Sequence, residues 1–322
     1  MDYVKMGRHG IKVSRVCLGT AFRGQEDDAV AVRTIERAID LGCNFIDCAN
    51  FYGLGRSERI LARAIAGKRD DLFLTTKVWS RIGDGPNDAG LSRFHIMREV
   101  ERSLTRLGID HIDLYLLHHW DSDTPLDETL QAMDDLVRQG KILYVGACNY
   151  SALQVMEAMW TSDQHGWDRF ACLQNQYNLL HRREVEPELL PLAARYGLGL
   201  MTYSPLAIGL LSGRFRRGQP VPDGTPWNTM GRFTVDRALS APFDETVAAL
   251  IELGQAYSKS PAQVAMAWLL DHAEVTAPIV GPDTPEHVED TFGALDWSLP
   301  SEARKQLDDV SKVSEPARYD RS

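Results

Sequence analysis

A chain of 322 residues, 44% hydrophobic and 25% charged, has apolar volume enough for one large core, and α/β barrels of this length commonly stay undivided. A formal net charge of −10 and a pI near 5.4 argue against broad binding to nucleic acid or to anionic membrane surfaces. Cys17, Cys43, Cys48, Cys148 and Cys172 form no CxxC pair, which sets aside a disulfide framework and a zinc ribbon.

The N-terminus, Met1-Asp2-Tyr3-Val4-Lys5, lacks the apolar stretch of a secretory signal. No run approaches the ~18 apolar residues of a membrane span. A cytoplasmic location is therefore expected. Residues 3–13 predict a hairpin turning at Arg8-His9-Gly10 and plugging the bottom of whatever follows.

Short β-rich runs come next, at 16–18, 44–47, 72–76, 112–117, 143–148, 172–174, 200–202 and 276–280. Several are apolar at successive positions, as in strands covered on both faces. The stretches between them have helical periodicity. Ile96, Val100, Leu104 and Leu107 share one face, with Gly108 as the stop. Leu126, Leu130, Met133 and Val137 do the same, with Thr124-Pro125 as cap and first position and Gly140 as the stop. Ser151 with Gln154, and Ser260-Pro261 with Gln263, have the form of capping boxes. Strand–helix alternation through eight units predicts an α/β (β/α)8 TIM barrel, one domain over 1–322. An open doubly wound sheet would call for a GxGxxG turn, and none is present. Residues 207–242, rich in Gly, Pro and Arg after the seventh run, predict a long lid or binding loop.

Barrel chemistry collects where strands end. Those ends are Gly19-Thr20, Asp47, Lys77, His118, Asn149, Gln174, Tyr203-Ser204 and Gly281. Lys77 and Asp47 end neighbouring runs, and each is the other's natural partner if buried. Tyr52, five residues past Asp47, would reach over the barrel mouth. A phenol has a pKa of about 10; a neighbouring ammonium favours its phenolate and draws that value towards neutrality. His118 directly follows its strand. Alternation is expected to send one of His118 and His119 inward and the other to the helix side. No HxH or HExxH supplies zinc ligands, so no metal is expected.

"FIDCANFYGLGRSERILARAI" resembles the signature of the aldo-keto reductase family. "LFLTTKV", "IDLYLLHHWD", "DDLVRQGKILYVGACNYS", "LQNQYNLLHRR" and "YSPLAIGLLSGRF" are similar to its later blocks, in the same order. The likeness runs from about residue 3 to 310. It is strongest to the branch of bacterial sugar and carbonyl reductases and potassium-channel β subunits.

The resemblance implies a reductase or dehydrogenase that uses NADP(H) or NAD(H) on a small carbonyl or sugar. Tyr52 would be its general acid and base, with Lys77 tuned by Asp47 and His118 orienting the carbonyl. Gly19, Thr20, Ala21 and Asp47 would border the dinucleotide. Asn149 and Gln174 would bind its carboxamide, and Tyr203 would stack on its ring. Ser204, Pro205, Leu206, Ala207, Gly209, Leu210 and Arg214 would wrap the pyrophosphate. Gly281, Asp283 and His287 would hold the adenosine end. Two departures stand out. Cys148 replaces the family's usual serine, a stronger donor. Pro282, Asp283, His287, Asp290 and Thr291 replace residues that bind a 2′-phosphate in NADP-dependent relatives. NADP(H) is expected on family habit, with NADH usable.

Two rivals remain: a Schiff-base aldolase using Lys77, and a cofactor-binding regulatory subunit with little turnover. Trp79, His119, Trp120, Trp227 and Phe233 are candidates for an aromatic substrate wall, and the substrate itself is not legible.

Overall fold

A computed structural model describes residues 1–223, 225, 227 and 234–312. The chain opens with an antiparallel pair, β1 (Tyr3–Lys5) and β2 (Lys12–Ser14). Eight parallel strands then form a closed barrel. They are β3 (Cys17–Gly19), β4 (Phe45–Asp47), β5 (Phe73–Val78) and β6 (Ile112–Leu117), followed by β7 (Ile142–Cys148), β8 (Phe170–Gln176), β9 (Gly199–Tyr203) and β10 (Ala277–Val280). β10 pairs with both β9 and β3, which closes the ring. Helices between the strands form the outer layer, so the architecture is the expected (β/α)8 barrel with an N-terminal hairpin.

Two apolar faces explain the continuous hydrophobic runs. Phe45, Phe73, Leu114, Leu116, Cys172, Met201 and Ala277 cluster together inside the barrel. Their strand neighbours Ile46, Leu74, Tyr115, Leu117, Leu173 and Leu200 face the helices. Because side chains alternate, the inward column over Phe45 continues to Asp47, and that over Phe73 continues through Thr75 to Lys77. The barrel therefore has an apolar floor and a polar upper layer on the same strand faces.

The hairpin covers the floor. Met6 is fully buried against it, a burial worth about 1.5–3 kcal/mol. Arg8 N–H donates to Gly197 O at 2.7 Å. Gly7 sits at φ +55°, and a Cβ there would fall 2.3 Å from Gly197 O, so only glycine fits that contact.

Helix ends follow the sequence signals with one shift. The helix Arg93–Leu107 stops at Gly108, φ +66°, and both capping boxes form. The next helix spans Leu126–Arg138 with Pro125, not Thr124, as its cap. Thr124 Oγ1 donates instead to Asp121 Oδ2 at 2.8 Å. Strand β5, expected over 72–76, runs on to Val78 and takes Lys77 into the sheet. Strand β8 likewise extends beyond 172–174 at both ends.

After β9, residues 207–242 include a turn at Leu210–Ser212 and a short helix at Val235–Ala238. Phe233 lies outside the described residues. All five cysteines are buried, and burial is the main force raising their pKa values, Cys48 and Cys172 each to about 12. Among the described residues no helix is long and apolar enough to cross a membrane.

Candidate active site

Lys77 is the centre of the polar layer. Its three ammonium protons have three acceptors: Asp47 Oδ2 at 2.7 Å, the Cys48 carbonyl at 2.7 Å and Tyr52 Oη at 3.3 Å. Asp47 Oδ1 accepts from Thr75 Oγ1 at 2.7 Å and Gln174 Nε2 at 2.9 Å. Each charge is thus buried, paired and hydrogen-bonded. Burial works against the Lys77 cation, but the charges of Asp47, Tyr52 and Cys148 and the Asp47 hydrogen bond raise its pKa well above the ordinary value.

Tyr52 stands on a tight loop, residues 50–55. Gly53, Leu54 and Gly55 all have positive φ, and Asn50 Nδ2 ties the loop to the buried Glu99 at 3.2 Å. Lys77 and Arg23 act to lower the phenol pKa, as expected for neighbouring cations. Burial and the Asp47 charge act the other way, and the net direction is upward. The expected net lowering is therefore corrected: desolvation of the half-buried phenol against the cleft wall outweighs what Lys77 returns. The phenol stays firmly protonated at neutral pH.

The His118 ring centre lies 6.1 Å from that of Tyr52, edge to face. Burial, then the charges of Lys77, His119 and Arg23, depress its pKa well below the usual histidine range, so it is neutral imidazole at physiological pH. Its Nδ1 is buried without a hydrogen-bond partner among the described residues. The expectation that His119 turns to the helix side is not met. β6 ends at Leu117, strand alternation ends with it, and both rings border the cleft.

Asp47, Tyr52 and His118 open onto a cleft of about 2000 Å³ across the C-terminal rim. Gly19, Ala21, Asn149, Gln174, Tyr203, Ser204, Pro205, Leu206, Gly209, Arg214, Gly281, Asp283 and His287 line it with them. Thr20, Cys148, Ala207 and Leu210 do not; each is fully buried behind the wall. Tyr203 Oη donates to Asn149 Oδ1 at 2.8 Å, and Asn149 Nδ2 donates to the His118 carbonyl at 3.0 Å. Of the aromatic candidates, Trp79 and His119 face the cleft with rings 4.6 Å apart. Trp120 packs on Tyr150 at 5.3 Å. The Trp227 indole is committed to the Ile208 carbonyl at 3.0 Å.

Two features of the rim escaped the sequence reading. Phe22, Leu54, Trp79, Asn149, Ser204, Ala207 and Ile208 all have positive φ, a strain that clusters at functional sites. No residue type announces this. Arg23 also lines the cleft; its signal was available, as a cation beside a glycine just past the first barrel strand.

A barrel carrying an aspartate, a tyrosine, a lysine and a histidine at one mouth defines a class of protein. The model of the aldo/keto reductase family matches residues 15–312, and the chain belongs to that family. It is 37% identical over 324 residues to the uncharacterized oxidoreductase YrpG of Bacillus subtilis, covering 96% of each chain. It is 33% identical over 332 residues to a probable voltage-gated potassium channel subunit beta of Arabidopsis thaliana, covering 99% of this chain and 98% of the relative. A rice protein of the same description is 34% identical over the same length and shares.

Proposed function

We propose that the chain is an oxidoreductase that interconverts a small carbonyl compound and its alcohol with a nicotinamide dinucleotide, Tyr52 being the proton donor and acceptor. The observation that carries this reading is the Lys77 ammonium held 2.7 Å from Asp47 and 3.3 Å from the Tyr52 hydroxyl at the foot of the cleft.

The cleft fits a dinucleotide. Its volume exceeds the roughly 300–1,000 Å³ of ordinary small-molecule sites. On the loop after β9, the N–H groups of Leu206, Ile208 and Gly209 take no partner among the described residues. Successive N–H groups of this kind receive phosphate oxygens, and Arg214 lies on the same wall. Asn149 and Tyr203, joined by a hydrogen bond on the cleft wall, would meet the nicotinamide. When bound, the reduced cofactor supplies hydride to the carbonyl carbon. Tyr52 gives its hydroxyl proton to the carbonyl oxygen, and takes it back in oxidation. Lys77 stabilises the phenolate that remains, and Asp47 holds Lys77 in register. Neutral His118 offers a ring nitrogen to the same oxygen and fixes its position.

Asp283, at the adenosine end, disfavours a 2′-phosphate by its charge, while Arg214 favours one. NADP(H) stays ahead on family habit, with NADH usable. A Schiff-base role for Lys77 is disfavoured by its raised pKa and by the engagement of all three of its protons. A second reading, a dinucleotide-binding regulatory subunit with little turnover, is favoured by the likeness to the two probable potassium channel β subunits. Steady-state turnover separates the two. The oxidoreductase reading predicts loss of reduced-nicotinamide absorbance on a panel of aldehydes, ketones and sugars. Tight dinucleotide binding without turnover on any of them would favour the subunit reading instead.

A further inference from the structure

Arg23 is a cation with no evident task inside the protein. It is exposed at the cleft and lines it. It has no hydrogen bond or ion pair among the described residues. Asp47 is engaged with Lys77, Asp28 with Arg56, and Asp283 with the Gly24 N–H.

The segment that presents it is firmly held. Gln25 Nε2 donates to the Asp283 carbonyl at 3.1 Å. Arg56 donates to the carbonyls of Gln25 at 2.9 Å and Glu26 at 3.1 Å. Gly24 packs so tightly on Asp283 that a Cβ would lie 2.6 Å from the carboxylate. Phe22, just before Arg23, is held at φ +43°. Such strain persists only where the surroundings over-determine the conformation. A pinned loop thus offers one unneutralised guanidinium to the cleft, and its charge reaches both the Tyr52 phenol and the His118 ring. Arg214 and the loop N–H groups after β9 are available for cofactor phosphates, so Arg23, which borders the same cleft as Tyr52 and His118, is free to meet the substrate.

We propose that Arg23 anchors the substrate, and that the substrate is therefore an aldehyde, ketone or alcohol carrying a carboxylate or phosphate group. A guanidinium binds either group by paired, charge-assisted hydrogen bonds. The inference rests on the oxidoreductase reading above and narrows its substrate class. The charge closest to Tyr52 is the Lys77 ammonium, and the one carboxylate beside it, Asp47, is paired with that cation.

The test compares matched substrates on the wild-type chain and on Arg23→Gln. Succinic semialdehyde is set against butanal, and glyceraldehyde 3-phosphate against glyceraldehyde. Wild type is expected to prefer the anionic member of at least one pair, and the pair that responds identifies the group. Arg23→Gln is expected to lower kcat/KM for that member roughly tenfold to a hundredfold, mainly through KM, and to leave the neutral member within about twofold. Titration calorimetry with succinate and with inorganic phosphate provides a readout free of turnover. Anion binding that Arg23→Gln weakens by a similar factor keeps the site even if no carbonyl is turned over, in which case only the oxidoreductase reading fails. Equal losses on both members of each pair, no wild-type preference for either anion, or a selective loss of dinucleotide affinity would overturn the proposal.

Discussion

Removing Lys77 alone should be worse for the fold than removing it together with its partner. The pair is buried on both sides, with side chains 0% and 2% exposed, so solvent screening gives no relief. Lys77→Met leaves the Asp47 carboxylate with Thr75 and Gln174 as donors but no cation, inside the barrel. Stranding one charge of a buried pair costs about 3–5 kcal/mol. Lys77→Met with Asp47→Asn removes the stranded charge, and should recover at least about 2 kcal/mol of that loss. Urea unfolding followed by tryptophan fluorescence measures Lys77→Met, Asp47→Asn and the double variant against wild type. The order expected is wild type, double variant, then Lys77→Met. A double variant destabilised by the sum of the two single changes would refute the buried-pair account. Catalysis gives a second readout. The Lys77 charge and hydrogen bond both pull the Tyr52 pKa down against burial. Without them, the alkaline rise in alcohol oxidation, which tracks phenolate formation, should move to higher pH.

Acid stability should depend on His272. Burial, then the Arg304 charge, takes its pKa down to about 4, below the unfolded value of about 6.5. The unfolded chain therefore binds the proton first. The contribution is intact above about pH 6.5 and lost as pH falls towards 4. His272→Gln should flatten the drop in urea midpoint between pH 7 and pH 5; an unchanged slope would exclude this group as a cause. At the adenosine end, Asp283→Arg should raise the NADPH-over-NADH ratio of kcat/KM by roughly tenfold, equivalent to about 1.4 kcal/mol. If wild type already excludes NADH by orders of magnitude and the variant does not change the ratio, the adenosine pocket lies elsewhere. Residues 207–242 should resist limited proteolysis when dinucleotide is added, and unchanged cleavage at saturation would contradict a closing loop.

The barrel was legible because its strands and helices are written in two different periods. The eight apolar runs fell on the eight barrel strands, and the capping boxes at Ser151 and Ser260 fell at helix starts. Asp47 and Lys77 could be paired from sequence, since two charges ending adjacent buried strands have few other ways to be satisfied. Electrostatic balance was harder to read. The net direction at Tyr52 depends on how far the phenol itself is desolvated beside Lys77 and Asp47, which no local pattern states. His119 was misdirected because alternation holds only within a strand, and β6 ends one residue before His118. Arg23 was visible in the sequence as a cation just past the first barrel strand, but its weight comes from the partners it lacks, and these are known only once Asp28, Asp47 and Asp283 have found theirs.

The central claim is that Tyr52 is the proton donor, and Tyr52→Phe tests it with one atom removed. Reduction is measured with a carbonyl substrate at saturating dinucleotide, and cofactor affinity in parallel by fluorescence titration. The account predicts a loss of about 10²–10⁴-fold in turnover, with the fold intact and dinucleotide binding little changed. Near-wild-type turnover in a folded, cofactor-binding Tyr52→Phe variant would contradict it.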